Sequence, residues 1–202
     1  MPVLIDECGY EGDLPYNWGN LSAFEMVHRF WWTICRGGYC THGETFHRDD
    51  EILWWAKGGS LYGQSAERIR FHKDFLYSLP EEGRISNEKF MQNPNVDESD
   101  SAAVKQEQSF QDLIASLPEH QQKEMIFNIP MDISSDHFIL RYFGRSCPAY
   151  TDLTLPDQGS YQVEIIDIWE MTRTVVKEQA CGNIRVFLPG KEGIAIYANN
   201  IL

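Results

Sequence analysis

The sequence is short of positive charge. Lys and Arg number 17 against 30 Asp and Glu, a formal net charge of −13. Nucleic acids and anionic membrane surfaces are held by neutralising Lys and Arg, so this balance argues against both as partners. A disulfide framework is missing too. The five cysteines (Cys8, Cys35, Cys40, Cys147 and Cys181) are odd in number, scattered, and without a CxxC pair. That pattern suits a reducing compartment, and a cytoplasmic protein is expected. Met1 to Glu7 has no basic leader, and no apolar run is long enough to span a bilayer, so neither a signal peptide nor a membrane helix is expected. There is no internal repeat. What is present is globular: 43% apolar residues, 13% aromatic, and six Trp in 202 residues. Such a chain can bury a sizeable core in one or two domains.

The organising stretch is Asp6-Glu7-Cys8-Gly9-Tyr10-Glu11-Gly12. It follows a short apolar run, Val3-Leu4-Ile5. Period-two alternation places Val3, Ile5 and Glu7 on one face of a strand and Leu4 and Asp6 on the other. Branched apolar residues leading to a carboxylate at a strand's C-terminal end suit an inward-facing barrel strand, where the last residue does chemistry. A turn-rich loop follows, with Tyr10, Tyr16 and Trp18. These aromatics either stack on a ligand or cover the underside of their own loop.

Ser22-Ala23-Phe24-Glu25 predicts a capping box. Phe24, Val27, Trp31 and Ile34 then recur at helical spacing, and Gly37-Gly38 stops the helix. The face carrying Phe24, Val27 and Trp31 is expected to lie on a sheet. Tyr39 to Glu44 reads as a second strand, with Cys40, His42 and Glu44 on one face. Strand, helix and strand within about forty residues make a βαβ unit with parallel strands. Glu7 and Glu44 therefore end adjacent strands, at the edge where α/β proteins bind ligands.

A long connection, Thr45 to Gly63, predicts a short helix around Ile52 to Lys57, with Trp54 and Trp55, and then a Gly-rich turn. Ser65 is expected to cap a helix from Ala66 to about Leu79, with Ile69, Lys73, Leu76 and Leu79 as its stripe. Residues 85 to 108 are polar, and Asn93 to Ser101 is acidic and turn-like. Ala102 to Leu117 reads as a short helix. Beyond Pro118, runs at Phe138 to Phe143, Tyr161 to Ile165, Thr172 to Val176, Ile184 to Leu188 and Ile194 to Ala198 suggest an antiparallel sandwich. The expected division is 1–84, 85–124 as an acidic linker, and 125–202.

Taken together, these residues resemble a family. Pro2 to Gly12 is similar to the seventh-strand motif of apiosidase-like (β/α)8-barrel glycoside hydrolases. Gly37 to Thr45 is similar to the eighth strand, and Leu53 to Gly59 and Gly63 to Ile69 to the segment after it. Leu140 to Gly144 and Ile165 to Met171 resemble the small β-sandwich appended to such barrels. The resemblance implies the last two β/α units of a barrel followed by a small antiparallel Ig-like β-sandwich. It also implies Glu7 as catalytic nucleophile, and Tyr10, His42, Glu44, Trp54 and Trp55 as substrate contacts. The family's general acid/base ends the fourth strand, for which this sequence has no counterpart. Retaining hydrolysis needs two carboxyl groups about 5–5.5 Å apart. Glu11 and Glu44 are the nearby candidates for the second, and neighbouring strands ~4.8 Å apart do not forbid Glu44. The family offers no support for Glu44 as the acid, so it is expected to contact sugar hydroxyls or hold Glu7 in place.

The expected function is thus a fragment or subunit of a retaining glycoside hydrolase, inactive alone. No cofactor is implied. Its partners would be carbohydrate and either the rest of the barrel or a second copy of the chain, since a two-stranded sheet is marginal alone. The alternative is a non-catalytic carbohydrate-binding or protein-interaction module built on the sandwich. Two other constellations are weaker. Cys40, His42, Glu44 and His47 lack the closed spacing of a metal site. A Cys8 nucleophile with His42 as base would place the sulfur on the face opposite Glu7.

Overall fold

The computed structural model describes residues 3–47, 52–53, 60–81, 83–85, 105, 112–128 and 130–201. Strand β1 (Val3–Ile5) leads through a loop and a 3-10 turn (Asn17–Gly19) into helix α1 (Ala23–Ile34), and α1 returns the chain to β2 (Gly38–Cys40). β1 and β2 are parallel, with Val3 opposite Gly38 and Ile5 opposite Cys40. The expected βαβ unit is therefore present. The Ser22 hydroxyl accepts from the Glu25 N–H at 3.1 Å, half of the expected capping box. The other half is absent because the Glu25 carboxylate is held by Arg29 and Arg145 instead.

The long connection departs from expectation. Ile52 and Leu53, expected to open a helix, are a strand instead: β3 (Phe46–His47), β4 (Ile52–Leu53) and β5 (Ser60–Leu61) form a small antiparallel sheet in the order β4-β3-β5, and the rest of the expected helix, to Lys57, lies outside the described residues. Trp54 and Trp55 lie outside the described residues, as does the acidic run at Asn93 to Ser101. Helix α2 (Ser65–Tyr77) follows. Its buried residues are Ser65, Arg68, His72 and Phe75; of the expected stripe, Ile69, Leu76 and Leu79 are half-buried against the cores, and Lys73 is corrected to an exposed position. Polar side chains with specific partners occupy that face, which an apolar count does not reveal. β6 (Arg84–Ile85) pairs with β7 (Met131–Ser134) across the intervening segment. Residues 112–116 are helical, and α3 (Glu119–Asn128) precedes β7.

The remaining strands are β8 (Phe138–Tyr142), β9 (Tyr150–Thr154), β10 (Tyr161–Asp167), β11 (Thr172–Ala180), β12 (Asn183–Phe187) and β13 (Ile194–Asn200). Six of the strands form one antiparallel sheet in the order β11-β10-β13-β8-β7-β6, and β12 and β9 form a second of two strands. Alternation divides the six-stranded sheet between two cores. Leu140, Tyr142, Ile166, Ala195 and Tyr197 pack with Val27, Trp31, Trp32 and Phe75 from the helices. Val163, Ile194, Ile196 and Ala198 pack on the opposite face with Leu153 and Val186 of β9 and β12. Phe24, Val27 and Trp31 thus lie on a sheet as expected, but it is the antiparallel one.

His72 and Trp31 sit at the centre of the helix-facing core, ring centroids 4.9 Å apart and nearly edge-on. His72 is 5% exposed, and among the described residues its Nε2 has no hydrogen-bond partner. Burial draws its pKa from 6.5 down to about 3, and burial likewise draws that of His28 to about 4. Both are neutral in the fold. The unfolded chain binds the proton first, so stability is full above pH 6.5 and declines as pH falls toward 3. We expect the melting temperature to fall between pH 6.5 and 4, and His72→Phe to flatten that slope, as read by thermal denaturation over a pH series.

Candidate active site

Beyond Ile5 the two parallel strands lose regular register. Ile5 pairs with Cys40, and the next bridge joins Tyr10 to Gly43. Five steps on the first chain thus face three on the second, so Asp6 to Gly9 bulge out. The Thr41 N–H donates to the Ile5 carbonyl at 3.1 Å, and its hydroxyl donates to the Asp6 carbonyl. Gly43 makes the rejoining possible: a Cβ there would lie 2.3 Å from the Gly9 oxygen. The bulge leaves Glu7 exposed, just past the C-terminal end of β1. Bulges of this kind re-aim side chains beside functional sites.

Glu7 and Ile5 share a wall of a cleft of about 450 Å³, with His28, Arg29, Trp32 and Arg145 on the other walls. That volume is within the range of small-molecule sites. The cleft is charged but internally paired. Arg29 Nε donates to Glu25 Oε1 at 2.7 Å, and Arg29 Nη1 donates to the carbonyl of Cys8, the residue directly after Glu7. Arg145 bonds the other Glu25 oxygen and reaches Glu192 at 3.3 Å. Burial opposes the charge on Glu25, but the bonds from Arg145 and Arg29 outweigh it and hold its carboxyl below the usual range. His28 Nδ1 shares a 2.9 Å hydrogen bond with the Tyr142 hydroxyl. Arg29 was legible as the i+4 partner of Glu25; Arg145 carried no sequence signal.

The other nearby carboxylates differ in role. Glu11 is 8% exposed. Its two oxygens accept from the Gln64 and Ser65 backbone N–H groups, each at 2.9 Å. They cap the N-terminus of α2, where donors are orphaned and the helix dipole favours negative charge. This corrects the expected Ser65 cap: the N-cap position is Gln64, and no side chain of the helix's own turn caps it. Gly63 at φ +90° makes room, since a Cβ there would fall 2.2 Å from the Glu11 carboxyl carbon. With both oxygens occupied, Glu11 is not a free acid. Glu44, by contrast, is exposed. His42 is half-buried, its Nε2 3.4 Å from the Ser65 hydroxyl and its ring edge-on to Phe30. Burial lowers the His42 pKa, against the pull of Glu44 and Glu11.

Tyr10 is half-buried and meets Trp18 edge-on at 5.9 Å. Burial first, then Glu7 and Cys8, raises its phenol pKa. The fold thus brings Glu7 and Tyr10 within electrostatic reach of each other, and likewise His42 and Glu44. Cys8 is buried and turns inward, its sulfur 3.2 Å from the Thr41 carbonyl and 3.5 Å from Met26 Sδ. Cys40 also packs against this small core, rather than joining His42 and Glu44 on one exposed face. All five cysteines are free. Among the described residues, no three His, Cys, Asp or Glu side chains converge as a metal cage requires. Among the same residues, no helix is long and apolar enough to cross a membrane.

Comparison with known proteins gives a partial match. A family model described as a domain of unknown function (DUF5605) matches residues 127–198. No curated protein matches. The fold resembles a crystal structure assigned as a glycoside hydrolase from Bacteroides vulgatus, at a TM-score of 0.65 and 24% identity. That match covers 99% of this chain and 36% of the other. A second structure, named a glycoside hydrolase, matches at a TM-score of 0.55 and 9% identity, covering 99% of this chain and 42% of that one. The chain therefore spans about two fifths of the length of the structures it resembles.

The contrast between the two acids is open to measurement. Glu11→Ala strips a pair of charge-assisted bonds from α2, at a cost of on the order of 3 kcal/mol. In a chain of this size that corresponds to a fall in melting temperature of roughly 6–12 °C. Glu44→Ala, at an exposed position, is expected to shift it by about 2 °C or less. Thermal unfolding of the two variants side by side checks the assignment.

Proposed function

We propose that this chain supplies the C-terminal part of a retaining glycoside hydrolase. β1 and β2 would be the last two strands of its (β/α)8 barrel, and the antiparallel strands its appended sandwich. The observation that carries this reading is the exposed Glu7 at the C-terminal end of a strand parallel to its neighbour. A second feature of β1 supports it. Val3, Leu4 and Ile5 are 62%, 58% and 41% exposed. Among the described residues β1 is paired with β2 alone. Apolar residues bare on both faces of a strand suit one built to be enclosed by further strands.

In this mechanism Glu7 attacks the anomeric carbon and forms a covalent glycosyl–enzyme intermediate, which water then hydrolyses. Arg29 holds the following peptide and so sets where the carboxylate points. His42, Glu44 and Tyr10 would bond sugar hydroxyls, with Trp54 and Trp55 as further contacts. The acid that protonates the leaving oxygen is not Glu11, whose oxygens are engaged by α2. We place it on chain that lies outside these 202 residues, which makes the barrel's remainder a required partner. A pure binding module on the antiparallel sheet is less well supported. Both faces of β8, β10 and β13 are covered, by the helices on one side and by β9 and β12 on the other.

The test is hydrolysis of a panel of aryl glycosides by an assembly that joins this chain to the missing barrel strands, either in one polypeptide or by mixing. Glu7→Gln is expected to lower kcat by roughly a thousandfold or more, as loss of a nucleophile does. Undiminished turnover in that variant overturns the assignment.

A further inference from the structure

We propose that Cys8 and Cys40 form a redox-modification site, which a hydroperoxide oxidises to a disulfide tying the residue after Glu7 to the neighbouring strand. The inference stands apart from the glycoside-hydrolase reading and needs no sugar. Both sulfurs gather at one backbone oxygen. The Thr41 carbonyl lies 3.2 Å from the Cys8 sulfur and 3.9 Å from that of Cys40. A side-chain hydrogen bond joins the two thiols. Both pack with Leu21, Met26 and Phe30 in the small core beneath the loop.

The backbone around the pair has room to adjust. Bonded sulfurs sit about 2 Å apart, so the two must approach. Cys40 is the last residue of β2 and is half-buried. Cys8 falls in the bulge between the Ile5–Cys40 pair and the Tyr10–Gly43 bridge, where the ladder is broken. Gly9 follows it in the left-handed region, at φ +101°. A segment outside the regular ladder yields more readily than one inside it. Access is available as well. Cys8 lines the cleft that also holds Glu7, and hydrogen peroxide is scarcely larger than water.

Electrostatics set the order of events. The bond from Cys40 draws the Cys8 thiol from 9.0 down to about 7; burial opposes this, and Arg29 and backbone hydrogen bonds at Cys8 and Gly43 assist. The same bond, with burial, pushes the Cys40 thiol up. Burial also raises the thiols of Cys35 and Cys147. Cys8 therefore supplies the thiolate. Its sulfur attacks one peroxide oxygen and the O–O bond breaks. The leaving hydroxide takes up the proton that Cys8 gave, and a sulfenic acid remains. The Cys40 sulfur then attacks the Cys8 sulfur, the S–O bond breaks, and the hydroxyl leaves as water with the Cys40 proton. Two thiols lose two electrons and two protons, and one hydrogen peroxide becomes two waters.

Peptide mapping of the dilute 202-residue chain tests this. The chain is treated at neutral pH with hydrogen peroxide in slight molar excess, alkylated, digested and analysed by mass spectrometry. The expected product is a linked Cys8–Cys40 peptide pair, lighter by two hydrogen atoms than the reduced peptides together and separated again by dithiothreitol. Cys181, though exposed, is expected to remain largely open to alkylation. In Cys40→Ser the linked pair should vanish and Cys8 should accumulate as sulfenic acid, trapped by dimedone. Melting curves establish that this variant is folded, and the map of the unaltered chain carries the test if it is not. Cys8 still alkylated once Cys181 is oxidised, or Cys8 linked to a different cysteine, overturns the proposal. So does Cys8 sulfenic acid trapped equally with and without Cys40.

Discussion

Helix α1 is the constraint on which the rest of the structure depends. A two-stranded parallel sheet has too little buried surface to hold itself together, and β1 is bare on both faces. What holds the pair is a helix buried on two sides. Val27 and Trp31, both fully buried, press onto the antiparallel sheet. Met26 and Phe30 press the other way, onto Cys8 and Leu21 at the ends of the loop that carries Glu7. Removing a side chain as large as Trp31 from such a site costs about 3–5 kcal/mol in comparable cores. That is a large share of the 5–15 kcal/mol by which a typical domain is stable. The antiparallel sheet is therefore the foundation of the β1–β2 unit rather than an independent companion.

The same helix carries the polar link between the two parts. Glu192, from the loop before β13, holds Arg145 from the loop after β8, Arg145 bonds Glu25, and through Arg29 the chain of bonds ends on the Cys8 carbonyl. Exposed ion pairs contribute little to stability, about 0–1 kcal/mol each. This series is better understood as geometry. It ties the backbone just after Glu7 to the sheet on which α1 lies, and the role proposed for Glu7 needs such support, since a reacting group has to be held within about half an ångström of its productive position.

The strongly periodic parts were legible in the sequence. Ser22 announced α1, and the spacing of Phe24, Val27 and Trp31 gave its sheet-facing side. The parallel strands and β8, β10, β11, β12 and β13 followed from alternation and turns, although β2 ends at Cys40, four residues short of the Glu44 expected to close it. Three kinds of feature were not legible, each for a physical reason. β3, β4 and β5 are two residues long, too short for any period to show. β7 and β9 carry Asp132 and Asp152, which look like loop residues until Arg141 and Arg185 pair with them. The face of α2 was only partly legible because Arg68 and His72 are buried beside its apolar residues. Arg68 is compensated by the Trp169 carbonyl and indole, far along the chain. At the candidate site, Glu7 was legible from its strand, but the task of Glu11 was not. Its partners lie more than fifty residues away, and nothing local distinguishes a carboxylate that caps a distant helix from one that reacts.

That last distinction bears on how such a site is read. Four glutamates, Glu7, Glu11, Glu25 and Glu44, cluster in sequence or space around the end of β1, and counting them suggests a surplus. Following each oxygen to its donors removes it. Glu11 is spent on the amides of α2, Glu25 on two guanidinium groups. Glu7 and Glu44 remain exposed. A carboxylate whose oxygens are both engaged by donors has neither oxygen free to attack a carbon or to pass on a proton. A carboxylate at a strand end with its oxygens uncommitted can react. Among the described residues Glu7 shares this freedom with Glu44, and it differs from Glu44 in standing just past the end of β1, with Arg29 bonded to the carbonyl of the next residue, Cys8.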